Sequence, residues 1–136
     1  MKVYFAPHSR AVRTVWLLEE IGLPYELERF HLGQKEMRAP EYIAINPNGR
    51  VPTLVDSDVT ITESTAIAQY LAAKYAPTLA PNPEAQNFPD YLQWLHYAEG
   101  MIMPPINNYV VETILLPPER RNNEIAMRAL KLLNRT

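Results

Sequence analysis

Apolar and polar positions follow two different periods along the first part of the chain. Residues 2–6 and 25–30 are short runs rich in β-forming side chains, and the segment between them, 10–21, has apolar residues at helical spacing. Gly22 and Pro24 stand where this helix is expected to end. A strand, a helix and a strand of these lengths predict a βαβ unit with parallel strands and a right-handed crossover.

The apolar residues of segment 10–21 also predict which side of the helix is buried. Val12, Val15, Trp16 and Leu18 fall on one side of this predicted helix. A surface helix turns such a stripe toward the core. We therefore expect these four side chains to pack inside the protein.

A short helix, a hairpin and a longer helix follow. Residues 36–45 predict a short, irregular helix with Pro40 inside its first turns. Residues 51–55 and 59–62 are two strand-like runs across an acidic turn, and 64–75 has helical spacing. The resulting order, β-α-β-α-β-β-α, is that of an α/β, thioredoxin-like domain.

The second part of the chain is predicted to be helical. Four prolines lie between residues 76 and 89, so we place a linker at 78–88 between a domain at 1–77 and a partial helical domain at 89–136. Pro104 and Pro105 are expected to kink or end the first helix of this domain, and 119–133 predicts a further helix.

Composition excludes several kinds of protein. The 136 residues carry a net charge of −2, which gives no argument for a nucleic-acid partner. No apolar run approaches the roughly 20 residues that a membrane span needs. The chain has no cysteine, so it has no disulfide, thiolate metal site or redox thiol of its own. We expect a soluble, cytoplasmic protein with no metal site.

The stretch from Asn46 to Ser64 is the most informative part of the sequence. It reads Asn-Pro-Asn-Gly-Arg-Val-Pro-Thr-Leu and, after the acidic turn, Thr-Glu-Ser-Thr-Ala-Ile. Pro52 opens a strand, and Ser64 stands at a helix N-terminus, whose unpaired N–H groups favour a carboxylate. Taken singly, Pro52 is also compatible with an ordinary trans proline and Ser64 with a simple helix cap.

Together these motifs resemble the glutathione-binding signature of the glutathione transferase family. The resemblance is close over residues 1–80 and points to serine-type, bacterial-like members. It implies a thioredoxin-like domain, a cis peptide bond before Pro52 and glutathione as co-substrate. The helical domain of the family is longer, so the chain is expected to be truncated there, as a fragment or a shortened gene product.

The resemblance also implies where the catalytic hydroxyl lies. Serine-type members carry it between the first strand and the first helix, which is the place of Ser9. Tyr4 is the alternative, because tyrosine-type members use a hydroxyl near the end of the first strand, although a mid-strand tyrosine is more typical of a core. His8 is a further candidate, and Ser9 is also compatible with a helix cap alone.

The binding residues follow from the same resemblance. The Val51 backbone, before Pro52, is expected to pair with the cysteinyl unit of glutathione as an added strand. Glu63 is expected to face the α-amino group, and Ser64 the γ-glutamyl carboxylate. Arg50, and with a weaker argument Lys35, are candidates for the glycyl carboxylate.

Two main functions remain open at this point, and peroxidase or isomerase chemistry with glutathione is a weaker third. The first is an enzyme that conjugates the glutathione thiolate to a small hydrophobic electrophile, as in detoxification. The second is a glutathione-transferase-like binding or interaction module without turnover, because fold does not fix activity. The resemblance further implies a homodimer. Aromatic and methionine residues of the second part, including Trp94 and Met101, offer either an electrophile surface or core packing.

Overall fold

The computed structural model describes all residues 1–136 and divides the chain into two compact units, Met1–Pro81 and Asn82–Thr136. The division falls inside the proline-rich segment that the sequence predicts as a linker. The first unit contains a sheet with helices, and the second contains helices only.

The first unit has the predicted element order, with a short 3₁₀ turn before its second helix. That turn spans Lys35–Arg38, and another 3₁₀ turn at Pro77–Leu79 follows the last helix. The strands and helices are β1 (Lys2–Phe5), α1 (Ala11–Ile21), β2 (Glu26–Arg29), α2 (Pro40–Ile45), β3 (Thr53–Asp56), β4 (Val59–Thr62) and α3 (Ser64–Tyr75).

The four strands form one mixed sheet in the order β2-β1-β3-β4. β1 and β2 are parallel, whereas β3 runs antiparallel to both β1 and β4. β1, β2 and β4 therefore end, and β3 begins, at the same side of the sheet. We call this side, marked by Phe5, Arg29, Thr53 and Thr62, the site edge.

The hydrophobic core lies between one face of the sheet and the helices α1 and α3. It is built from fully buried aliphatic side chains, and α1 also packs against α3. The removal of such side chains from water is the main force that holds the sheet and these two helices together. The buried members are Val3, Leu18, Leu54, Ile67 and Leu71.

The prediction for the buried side of α1 is right for Leu18 and for Val15, which packs against the core, and wrong for Val12 and Trp16. Trp16 is 66% exposed and Val12 is also exposed, whereas Ala11, Thr14 and Leu18 form the buried side of α1. The true stripe is shifted around the helix because small residues, Ala11 and Thr14, face the neighbouring elements. The indole of Trp16 instead lies at the surface and donates to Glu20 at 2.9 Å.

Proline and glycine set the ends of the helices. The predicted helix over 36–45 is in fact a 3₁₀ turn followed by α2, which begins at Pro40. Proline suits a first helical position because its missing N–H would have no partner there. Gly22 ends α1 as predicted, with φ 74°, and its N–H bonds to the Leu18 and Glu19 carbonyls.

The second unit contains three α-helices: α4 (Phe88–Tyr97), α5 (Met103–Val110) and α6 (Asn123–Leu133). A π-helical turn, Ala98–Ile102, stands between α4 and α5, immediately before Pro104 and Pro105. A proline has no backbone N–H to donate, and a widened turn is one way in which a helix accommodates the missing hydrogen bond. α5 packs on α6, and Trp94 and Met101 are mostly exposed.

The start of α6 differs from the prediction. The sequence suggests a helix from residue 119, but the structure has a 3₁₀ turn at Pro118–Arg120 and begins α6 at Asn123. The side chain of Asn122 caps this helix by accepting from the N–H groups of Glu124 and Ile125. No helix of the chain combines the length and apolar character that crossing a membrane requires.

Candidate functional site at the edge of the sheet

The site edge collects residues from three segments that are distant in sequence. Ser9 follows the end of β1, Pro52 precedes the start of β3, and Glu63 follows the end of β4. Tyr4 pairs with Thr53, and Thr53 pairs with Thr62, so these three ends lie side by side. These ends meet because β3 runs antiparallel to β1 and β4, so that the start of β3 lies beside their ends.

The segment before β3 presents open backbone groups. The peptide bond between Val51 and Pro52 is cis, as the resemblance implies. Pro52 is buried and Val51 is half-buried. The N–H and C=O of Val51 make no hydrogen bond within the chain. An extended peptide can add to such groups in the manner of an extra strand.

The loop that delivers Val51 is held by buried polar side chains. The Arg50 carbonyl accepts from the Tyr42 hydroxyl at 2.5 Å and from the Asn46 side-chain amide at 2.7 Å. The Thr53 hydroxyl oxygen lies 2.9 Å from both of these donors' heavy atoms. Burial raises the pKa of Tyr42, which keeps its hydroxyl protonated and able to donate.

The sequence pattern does not reveal these hydrogen bonds around the Arg50 carbonyl. Asn46 and Gly49 are residue types typical of turns, but Asn46 is 2% exposed and its side chain bonds in three directions. Gly49 has φ 56°, and a Cβ there would lie 2.6 Å from the Met37 carbonyl oxygen. Neither the partner Tyr42 nor the close approach of Met37 is visible in the residue pattern.

Glu63 stands at the junction of β4 and α3 in an unusual backbone conformation. Its φ is 69°, which is rare for a residue other than glycine, and its side chain is exposed. Its carbonyl accepts from the Ile67 N–H, so it starts the helix. Backbone strain of this kind costs of order 1–3 kcal/mol and is concentrated at functional sites.

Ser64 is the first residue of α3 and differs from Glu63 in being buried, with 4% exposure. Its hydroxyl oxygen accepts from Nη1 of Arg13 at 3.4 Å. The guanidinium of Arg13 therefore lies beside the N-terminal end of α3, which carries partial positive charge. The guanidinium and the helix end together favour a carboxylate.

The three candidate hydroxyl or base groups lie in different surroundings. Ser9 donates to the Ala6 carbonyl at 2.6 Å and accepts from the Ala11 N–H at 3.1 Å, so it caps α1. His8 is exposed and has φ 59°. Tyr4 is buried in a group of aromatic rings, as expected for a mid-strand residue.

The two candidate cations are both at the surface. Arg50 is exposed, and its side chain has no partner within the chain. Lys35 is exposed at the start of the 3₁₀ turn. The side chain that reaches the loop before Val51 is Arg38, whose Nη1 donates to the Asn48 carbonyl at 3.4 Å.

Comparison with known proteins agrees with this arrangement. The family profile described as "Glutathione S-transferase, N-terminal domain" matches residues 1–73. Glutathione S-transferase 3 of Schizosaccharomyces pombe is 38% identical over 99 residues, which cover 71% of this chain and 40% of that protein. Glutathione S-transferase 4 of Zea mays is 35% identical over 118 residues, 86% of this chain and 53% of that protein. The chain thus spans about half the length of these relatives or less.

Solved structures are similar over nearly the whole chain. The theta class glutathione S-transferase of Xanthomonas axonopodis pv. citri with glutathione bound has a TM-score of 0.86 at 29% identity, covering 98% of this chain and 65% of that one. A glutathione transferase family member from Pseudomonas fluorescens, with two glutathione bound, has a TM-score of 0.87 at 27% identity, covering 98% and 61%.

Proposed function

Since the chain belongs to the glutathione S-transferase family, we propose that it binds glutathione at the site edge and conjugates its thiolate to a small hydrophobic electrophile. The observation that supports this most directly is the unpaired backbone of Val51 beside the strained, exposed Glu63. Together they offer main-chain pairing and a carboxylate to one extended ligand.

The proposed ligand has a complementary set of groups. The Val51 N–H and C=O pair with the cysteinyl unit, and the Glu63 carboxylate binds the α-amino group. The γ-glutamyl carboxylate lies at the start of α3, bound by the Ser64 N–H and hydroxyl, with Arg13 adding a positive charge. Arg50, with Lys35 as a weaker candidate, attracts the glycyl carboxylate from the surface.

Ser9 is the proposed catalytic residue. A free thiol has a pKa of about 8.5, so the site has to favour the thiolate. The Ser9 hydroxyl turns from the Ala6 carbonyl and donates to sulfur, while the Ala11 N–H still donates to its oxygen. The thiol releases its proton to solvent water, and the thiolate then attacks the electrophilic carbon. A C–S bond forms, and a leaving group such as chloride departs with the electron pair of the bond that breaks.

A second candidate function is a binding module without turnover. The observation that favours it is that Ser9 already uses its donor on Ala6 and its acceptor on Ala11. If that hydroxyl stays in place, glutathione binds but its thiol is not activated.

For either function we propose a homodimer, which sedimentation of the purified chain tests.

The two functions are separated by measuring binding and turnover on the same protein. Calorimetry gives the glutathione Kd, and absorbance with chlorodinitrobenzene gives the conjugation rate. For the enzyme, we expect Ser9→Ala to lower kcat/KM at least ~100-fold, as for removal of a transition-state donor, with a Kd within about 3-fold of wild type. The exposed Ser57→Ala is the matched control.

The outcomes differ for each hypothesis. If the wild-type chain binds glutathione but does not conjugate it, the binding module is supported. If the chain does not bind glutathione at pH 7, both proposed functions are contradicted. Loss of the cap costs Ser9→Ala about 1 kcal/mol of stability, so folding is checked by circular dichroism. Ser9→Thr keeps a hydroxyl and is expected to retain measurable turnover.

A further inference from the structure

The first unit has a second concavity, separate from the residues of the site edge. It lies on the sheet face that turns away from the aliphatic core, between β1 and β2 on one side and α2 with its preceding 3₁₀ turn on the other. Its volume is about 280 Å³. It exists because α2 has only six residues and covers this face incompletely. We call it the α2-side cavity.

Aromatic rings form the inner surface of the α2-side cavity. Tyr4 and Phe30 stack with ring centroids 6.1 Å apart and an interplanar angle of 15°. Tyr42 contacts both, at 5.0 Å from Tyr4 and 4.8 Å from Phe30. Ring faces carry negative partial charge and attract cations and flat π-systems.

A polar group without a partner opens into this cavity. Tyr4 lines it and is 8% exposed, yet its hydroxyl makes no hydrogen bond within the chain. The Tyr4 hydroxyl oxygen is not enclosed by the protein, since the buried side-chain oxygen that lacks a hydrogen-bond partner is that of Thr14. The neighbouring Tyr42, by contrast, bonds the Arg50 carbonyl. The Tyr4 hydroxyl is therefore available to a ligand.

The charges around the cavity are predominantly negative. Glu28 on the sheet side is paired with Lys2 at 3.0 Å. Glu36 and Glu41 on the opposite side also line the cavity, and neither carboxylate has an ion-pair partner. Lys2 additionally places its ammonium 5.1 Å from the centre of the Tyr4 ring, within the range of a cation–π contact.

From these observations we propose that the α2-side cavity binds a small aromatic cation, such as an aryl amidinium. The flat body packs against the half-buried ring of Phe30. The cationic end lies toward Glu36 and Glu41, where charge-assisted hydrogen bonds fix it. The Tyr4 hydroxyl accepts a further N–H. The volume is close to the lower bound for small-molecule sites, so the ligand is no larger than one or two rings.

Benzamidinium and benzamide test this proposal as a pair of equal shape and different charge. Each is titrated into the ¹⁵N-labelled full chain at pH 7, and amide shifts locate the site. We expect saturable shifts at the lining residues, with a Kd for benzamidinium at least ~10-fold lower than for benzamide. Equal affinities, or no saturable shift around Tyr4 and Glu41, would overturn the proposal without any variant being needed.

Variants then test the role of the carboxylates. The double variant Glu36→Gln, Glu41→Gln keeps shape but removes both charges, and we expect it to weaken benzamidinium binding at least ~5-fold and benzamide binding little. Glu119→Gln, an exposed glutamate of the second unit, is the matched control and should bind as wild type. An unchanged benzamidinium Kd in the double variant contradicts the assigned orientation and the proposal with it.

Discussion

The Tyr42 hydroxyl donates a 2.5 Å hydrogen bond to the backbone carbonyl of Arg50, eight residues further along the chain. This contact joins α2 to the loop that carries Val51, so the position of the proposed glutathione-pairing backbone depends on a tyrosine outside the signature. The contact is made in the interior, where Tyr42 is 3% exposed.

Tyr42→Phe should therefore affect both stability and ligand binding. The variant loses two hydrogen bonds, to the Arg50 carbonyl and with the Thr53 hydroxyl, while the Asn46 amide still bonds both groups, so we expect a loss of about 1–3 kcal/mol in the free energy of unfolding. A looser loop should also weaken glutathione binding several-fold. Urea unfolding and calorimetry measure the two effects.

Tyr25→Phe is the control for this change. The Tyr25 hydroxyl bonds Glu19 at an exposed position, so its removal should change stability little and glutathione affinity not at all. Equal effects of the two variants on glutathione affinity would contradict a special role for the Tyr42 contact.

Gly49→Ala tests the close approach of the loop to the 3₁₀ turn. Besides φ 56°, the added Cβ meets the Met37 carbonyl oxygen at 2.6 Å, and backbone atoms cannot move aside easily. We expect a loss of at least about 2 kcal/mol of unfolding free energy, measured by urea or thermal unfolding.

Gly33→Ala separates the two causes. Gly33 also has a positive φ, 80°, but nothing lies within 4 Å of its Cβ position. This control carries the backbone strain alone and should cost about 1–2 kcal/mol. A loss for Gly49→Ala no larger than that of Gly33→Ala would show that the contact with Met37 is easily relieved.

These contacts also define what the sequence was able to predict. The element order follows from residue patterns, because it is encoded locally, and the cis bond before Pro52 is implied by the resemblance. The exposure of Trp16 and the partner of Arg13 do not, because they depend on which side of α1 meets α3. The role of Tyr42 likewise depends on a tertiary contact across eight residues.

Glu63→Gly should separate folding from binding. Glycine adopts φ 69° without a side-chain clash, so relief of strain outweighs the extra freedom of the unfolded chain, and we expect about 1 kcal/mol of added stability. Loss of the carboxylate should at the same time weaken glutathione binding roughly 10-fold, the size of a charge-assisted hydrogen bond. Thermal unfolding and calorimetry report the two changes.

Ser57→Gly is the matched control, since Ser57 has φ 57° in the exposed turn between β3 and β4. It should stabilise the protein similarly and leave the glutathione Kd unchanged. If Glu63→Gly binds glutathione as tightly as Ser57→Gly does, Glu63 has no part in recognition.

Acid stability should depend on Asp56. Hydrogen bonds from Tyr75 at 2.5 Å, Tyr70 at 2.7 Å and Lys74 at 2.9 Å lower the pKa of Asp56 from 3.8 to about 2. Because the folded pKa lies below the unfolded one, this stabilisation is complete above about pH 4 and is lost as pH falls toward 2. Urea unfolding between pH 6 and 2 measures it.

Asp56→Asn is expected to be less stable at pH 6 and to have a flatter pH profile between 4 and 2. Asp58→Asn, an exposed neighbour in the same turn, should keep the wild-type profile. An Asp56→Asn profile parallel to that of wild type would mean that another carboxylate governs the acid response.

The β3–β4 hairpin has a consequence for how ligand preference can change within this architecture. Pro52 and Glu63 adjoin the paired residues Thr53 and Thr62, and the strands between them are joined at their far end by Ser57 and Asp58 alone. The span between Pro52 and Glu63 is thus set by a two-residue connection at the opposite end of the hairpin from the proposed site. Adding or deleting one residue there would slide one strand against the other and turn Glu63 to the opposite face, so selection for a longer or shorter peptide has to act elsewhere.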